Sequence, residues 1–193
     1  MKYITGLALV ALASMPAHAQ ISEVRAGLAQ HDLGWATTNA AGDEEALIAI
    51  NAEIIFDEPE FLRWAFSPQP YVGGTLNLEG RTSYGGAGLM WRQTLSDRVY
   101  GDFALGLVVH DGLLSAGDAF DDREVGENVI DVLQRSNFYG SRVLFRPALT
   151  IGVRLDEDWA AEVFLEHISH GGLLSDRANE GSDAGGFRVA RRF

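Results

Sequence analysis

Near the end of the chain, His167-Ile168-Ser169-His170 is followed by a polar, glycine-bearing stretch that runs to Asp183. A serine hydroxyl is a weak nucleophile at neutral pH and needs an adjacent base. An imidazole can be that base, and a carboxylate on its other nitrogen fixes the tautomer and stabilises the imidazolium. Histidine, serine and aspartate in one hairpin are therefore a candidate acyl-transfer set. A His-x-Ser pair alone is a weak signal. The segment Asn179-Glu180-Gly181-Ser182-Asp183 strengthens it by bringing a carboxylate into phase. His167 and His170 do not form a metal pair, because residues three apart on a strand point to opposite faces. The chain has no cysteine, which excludes disulfides and thiolate metal sites. No metal site is expected at this hairpin.

These residues have to be held by strands. After the first residues, short segments alternate apolar and mixed side chains with a period of two, the mark of half-buried strands. Eight are expected, at about 23–30, 46–56, 70–78, 83–93, 99–110, 140–155, 159–169 and 185–193. The fifth is the clearest: Val99, Gly101, Phe103, Leu105, Leu107 and Val109 lie opposite Tyr100, Asp102, Ala104, Gly106, Val108 and His110. In the second, Asn51 and Glu53 oppose Ile48, Ile50, Ala52, Ile54 and Phe56. The sixth carries Arg142, Arg146 and Arg154 on one face. Connections alternate in length: 31–45, 79–82, 111–137 and 170–183 on one end, against 57–69, 94–98 and 156–158 on the other. A brief helix is expected near 129–133.

One apolar row and one mixed row on nearly every strand, with longer loops at one end, are the signature of an outer-membrane barrel. The expected fold is all-β: an eight-stranded antiparallel transmembrane β-barrel, with apolar rows toward lipid. Trp91, Tyr100 and Trp159 fall at the short-turn ends, where an aromatic girdle is expected. Glu162 and Glu166 face inward and are expected to pair with Arg142, Arg146 or Arg154. His167, Ser169 and Asp183 share the apolar rows' face, provided that the loop ends before Asp183. A polar set on the lipid-facing wall is costly unless used. A substrate that is itself a membrane lipid would use it. The opposite arrangement, a soluble barrel with the apolar row inward around a small apolar ligand, is the alternative fold.

Met1-Lys2-Tyr3, an apolar run from Ile4 to Met15, and Ala17-His18-Ala19 read as a signal peptide over residues 1–19, with 20–193 a single domain. The apolar run is shorter than the roughly 20 residues of a spanning helix. A formal charge of −12 argues against nucleic acid, whose phosphates require clustered Lys and Arg.

His167-Ile168-Ser169-His170 and Asn179-Glu180-Gly181-Ser182-Asp183, followed by a strand ending in Phe193, resemble the lipid A 3-O-deacylase family of Gram-negative outer membranes, also called acyloxyacyl hydrolases. Looser likeness reaches Ala52–Phe56, Gly73–Asn77 and Gly140–Phe145. The resemblance implies cofactor-free hydrolysis of the ester-linked 3-hydroxyacyl chain at the 3-position of lipid A. Ser169 would be the nucleophile, His167 its base and Asp183 the orienting carboxylate. The family has Asn after the serine, as an oxyanion donor, where this chain has His170. His170, Gly171 and Asn179 are then expected on the oxyanion and substrate side. The partners implied are lipopolysaccharide and the outer membrane, with a homodimer left open. A non-catalytic barrel with a structural or interaction role is the rival reading, and His170 is the residue that favours it.

Overall fold

A computed structural model describes residues 20–31, 33, 48–79, 81–122, 136–177 and 179–193. The expected signal peptide and the helix expected near 129–133 both fall outside the described residues. The strands are β1 (Ile21–His31), β2 (Ile48–Phe56), β3 (Gln69–Asn77), β4 (Tyr84–Thr94), β5 (Val99–His110), β6 (Val143–Arg154), β7 (Trp159–Ile168) and β8 (Ser182–Arg192). Each pairs antiparallel with its neighbours in sequence, and β1 also pairs with β8, closing an eight-stranded barrel. Closure leaves no strand edge unpaired, which a sheet in lipid requires. No described helix is long and apolar enough to cross a membrane.

Period-two alternation is borne out along most strands, while glycine-rich β4 is half-buried over most of its length. In β7, Ala161, Val163 and Leu165 are exposed while Ala160, Glu162, Phe164 and Glu166 are buried. In β2, Ile48, Ile50 and Ala52 face out, and Ala49, Asn51 and Glu53 face in. The apolar rows therefore line the outside and the charges fill the inside, the reverse of a soluble barrel. The alternative fold with an inward apolar row is excluded by this orientation.

Inside, guanidiniums and carboxylates interlock across the barrel. Arg25 binds Glu23 and Asp102 at 2.6 Å each. Arg92 reaches Glu23 and Asp102 at 2.8 Å, and Arg188 reaches Glu162 at 2.6 Å. Arg146 joins Glu53 at 2.6 Å and also pairs with Glu166, which further accepts hydrogen bonds from Thr75 and Tyr84. Such pairs hold only because almost every lone pair and N–H finds a partner. The barrel is thus plugged by a polar core.

Two expectations need correction. Tyr100 is not a girdle residue: it is buried, its hydroxyl donates to Glu162 at 2.6 Å, and Arg92 lies 4.0 Å above its ring. It belongs to the inward row of β5, as its phase requires. The lumen pairing is also narrower than expected. Arg146 does pair with Glu166, but Arg142 donates to the carbonyls of His110 and Gly112 at the long-loop rim. Arg154 donates to the Asp97 carbonyl at the other rim. Glu162 is served by Arg188, its direct cross-strand partner on β8.

Candidate active site

β7 and β8 set the site's frame. Their register puts His167 directly opposite Asp183 and Leu165 opposite Gly185. β8 begins at Ser182, so the loop ends before Asp183, as its in-phase placement needs. Leu165, exposed, shares the face of His167, so this pair sits on the outer wall near the long-loop end. His167 Nδ1 and Asp183 Oδ1 are 2.7 Å apart. The carboxylate is fully buried whereas the imidazole remains partly open, at 23% side-chain exposure. With Asp183 accepting from Nδ1–H, Nε2 is left as the basic nitrogen. That is the tautomer a general base for a serine requires.

Ser169 continues the β6–β7 pairing past the end of β7. Its N–H donates to the Phe145 carbonyl at 3.1 Å, and its carbonyl accepts from Phe145 N–H at 2.8 Å. Two residues beyond His167, it faces the same way and is half-buried. The structure therefore brings His167, Ser169 and Asp183 to one outward patch. Among the described residues, no hydrogen bond joins the Ser169 hydroxyl to His167. Hydrogen bonds of this kind often close only when substrate is bound.

The loop after Ser169 is held by its own polar groups. Asn179 Oδ1 accepts from His170 N–H at 3.0 Å. His170 Nδ1 accepts from Gly172 N–H at 3.2 Å, and the His170 carbonyl accepts from Leu173 N–H at 3.0 Å. Gly171 and Gly172 have φ of 59° and 71°, left-handed conformations that glycine adopts without steric cost. Glu180 clamps the loop to the segment before β6, exchanging hydrogen bonds of 2.6 and 3.2 Å with the Phe138 backbone. Leu33, just after β1, donates its N–H to the Asp183 carbonyl at 3.2 Å.

This geometry redistributes the residues expected on the oxyanion side. The His170 amide is committed to Asn179, and the His170 ring is fully buried with one nitrogen bound to Gly172. Asn179 acts as a tether for the loop. Gly171 is exposed, and a Cβ added there would meet nothing within 4 Å. A residue with no role assigned from sequence also emerges. Gly181, at φ 68°, lies against the imidazole: an added Cβ would fall 3.0 Å from His167 Cε1 and 3.3 Å from Nε2. Only its place in the Asn-x-Gly-x-Asp segment hinted at this.

The family model described as "Lipid A 3-O-deacylase (PagL)" matches residues 132–192, the part of the chain that holds β6, β7, β8 and the site. Among solved structures, the chain is similar to one described as the "Crystal structure of the outer membrane enzyme PagL". The identity is 10% and the TM-score 0.56, over 89% of this chain and 100% of that one. At that identity the likeness shows the fold alone, a closed β-barrel. No curated protein matches the chain.

Proposed function

We propose that this barrel is an outer-membrane esterase that removes the 3-hydroxyacyl chain ester-linked at the 3-position of lipid A. One observation carries the reading: a base-and-carboxylate pair, His167 Nδ1 to Asp183 Oδ1 at 2.7 Å, stands on the lipid-facing wall with Ser169 on the same face. The match of residues 132–192 to the deacylase family model supports the substrate class. Such a site admits a lipid ester by lateral diffusion, while a water-soluble ester would have to enter the membrane to reach it.

In the proposed reaction Ser169 Oγ attacks the ester carbonyl carbon as His167 Nε2 takes the hydroxyl proton. Asp183 stabilises the imidazolium through Nδ1–H. The carbonyl oxygen becomes an oxyanion, for which we assign the amide of exposed Gly171 as the loop donor. Collapse breaks the bond to the sugar oxygen, which leaves with the proton from His167. Water then attacks the acyl-serine, again giving its proton to His167, and the free hydroxy acid departs as Ser169 recovers its proton. Exclusion of water around the burying lipid strengthens each of these electrostatic contacts.

The open Ser169–His167 contact is the observation that favours the rival, a non-catalytic barrel. Mass spectrometry of lipid A from cells making the protein separates the two. Cells with the wild-type chain are expected to lose one hydroxyacyl mass, and cells with Ser169→Ala to retain it. Unchanged lipid A with the wild-type chain folded in the outer membrane would sink the enzyme reading.

A further inference from the structure

The connection between β2 and β3, at the end of the barrel opposite the candidate site, contains a 3-10 turn over Glu60–Ala65. A 3-10 turn repeats every three residues, so side chains at i and i+3 share an edge. Here each edge has one chemistry. Leu62 and Ala65 are half-buried, and the Ala65 carbonyl accepts a 2.8 Å hydrogen bond from Trp91 Nε1. Glu60 and Arg63 are exposed and pair with each other at 3.2 Å. Phe61 and Trp64 are 68% and 81% exposed, and Phe66, the residue that ends the turn, is 89% exposed.

Trp91 fixes where this segment lies. It is in register with Phe103 on the outward row of β5 and stacks on it, with centroids 5.9 Å apart. The segment docked on Trp91 is therefore folded against the outer wall and does not close the lumen. Phe66 and Ser67 both hold left-handed backbone, φ 65° and 50°, an uncommon conformation for such residues that costs energy. The fold keeps that strain while leaving three aromatic rings without a partner among the described residues. Exposed aromatics continuous with a lipid-facing belt call for a cover.

We propose that Glu60–Phe66 is an interfacial anchor that lays Phe61, Trp64 and Phe66 into the headgroup–acyl boundary of the glycerophospholipid leaflet at the short-turn end. The occupant is chosen by continuity and by chemistry. Leu95, Leu155 and Trp159 are exposed on the same rim, and Trp, Phe and a neutralised Glu–Arg pair suit a half-wet, half-apolar boundary. The anchor fixes the depth of the barrel, and so the height at which the candidate site meets the opposite leaflet. It rests on the membrane reading of the barrel and stands whether or not the barrel is an esterase.

The chain has no cysteine, so single labels report cleanly. The full chain is reconstituted in phosphatidylethanolamine–phosphatidylglycerol vesicles, and a bimane is placed at Phe66→Cys, with Asp97→Cys in another short turn as the reference. Acyl-chain-brominated phospholipid is expected to quench the Phe66 label at least threefold more than the Asp97 label, with iodide showing the reverse order. Trp91→Phe, which removes the hydrogen bond to Ala65, is expected to shift the Phe66 label toward iodide. If the cysteine variant does not fold, native tryptophan emission serves: Trp64→Phe should remove a bromolipid-quenched fraction. Equal quenching of the two labels, protection of Phe66 from both quenchers by a protein partner, or no change with Trp64→Phe would each overturn the proposal.

Discussion

Gly181 faces His167 across the last hairpin: a Cβ built on Gly181 would lie 3.0 Å from Cε1 of the imidazole. Position 181 is constrained twice over. Its φ of 68° disfavours any L side chain by roughly 1–2 kcal/mol, and a methyl group would push the ring that Asp183 orients. Gly181→Ala is therefore expected to lower turnover at least tenfold while the barrel stays folded. Activity on lipid A in detergent micelles, with heat-modified gel mobility as the folding check, tests this. Wild-type turnover in the folded variant would show that the imidazole position is not critical.

Asp183 is fully buried beside a partly open histidine, an asymmetry that suits a fixed anion holding a working base. Asp183→Asn keeps the shape but presents an N–H or a neutral carbonyl to Nδ1, so the tautomer is no longer dictated. By analogy with the serine-protease carboxylate, where the same exchange costs about 10⁴ in kcat, a fall of three to four decades is expected with KM little changed. Steady-state kinetics on lipid A in detergent micelles checks the split. A loss confined to KM would assign Asp183 to binding.

Asn179 ties the loop by accepting the His170 amide. Asn179→Ala removes one neutral hydrogen bond, worth about 1 kcal/mol, and leaves the strands untouched. Amide exchange at His170 is expected to quicken about fivefold, with a few-fold loss of turnover. His170→Asn, which introduces the residue that the lipid A deacylase family carries after its serine, is expected to change turnover less than Asp183→Asn does, because the native His170 amide is already engaged. A large gain of activity in His170→Asn would instead make the side chain at 170 an oxyanion donor.

The facing of side chains was legible in the sequence because a membrane barrel gives its two faces opposite chemistry. Val163 and Leu165 against Glu162 and Glu166 state the phase of β7, and His167 and Ser169 inherit it. The same rule places Tyr100 inward, opposite Val99 and Gly101, so its assignment to the girdle came from its position along the strand at the expense of its phase. Partner choice inside the barrel was less legible. Arg146 and Glu53 meet across the lumen from residues 93 apart, a meeting that depends on strand tilt and stagger. The loop carried the least signal. A bare Asn-x-Gly-x-Asp does not say that Asn179 will cap the His170 amide or that Gly181 makes room for a ring. Those roles depend on left-handed turns at 171, 172 and 181, and glycine permits such turns without dictating them.

Glu53 offers a test of the polar core that is independent of catalysis. Its carboxylate meets Arg146 at 2.6 Å, Arg188 at 3.0 Å and Arg25 at 3.4 Å, and it is almost wholly buried. Deleting one member of a buried ion network leaves its partners' charges without compensation, at a cost of about 3–5 kcal/mol. Glu53→Ala is expected to destabilise by that order, because three guanidiniums lose a common anion. Glu53→Gln should cost less, since its carbonyl oxygen still accepts one hydrogen bond. Urea titration of the refolded barrel in detergent micelles, followed by tryptophan fluorescence, measures both. A Glu53→Ala barrel as stable as the wild type would mean that water enters the lumen and solvates the arginines, and that the ion pairs do not hold the barrel's interior together.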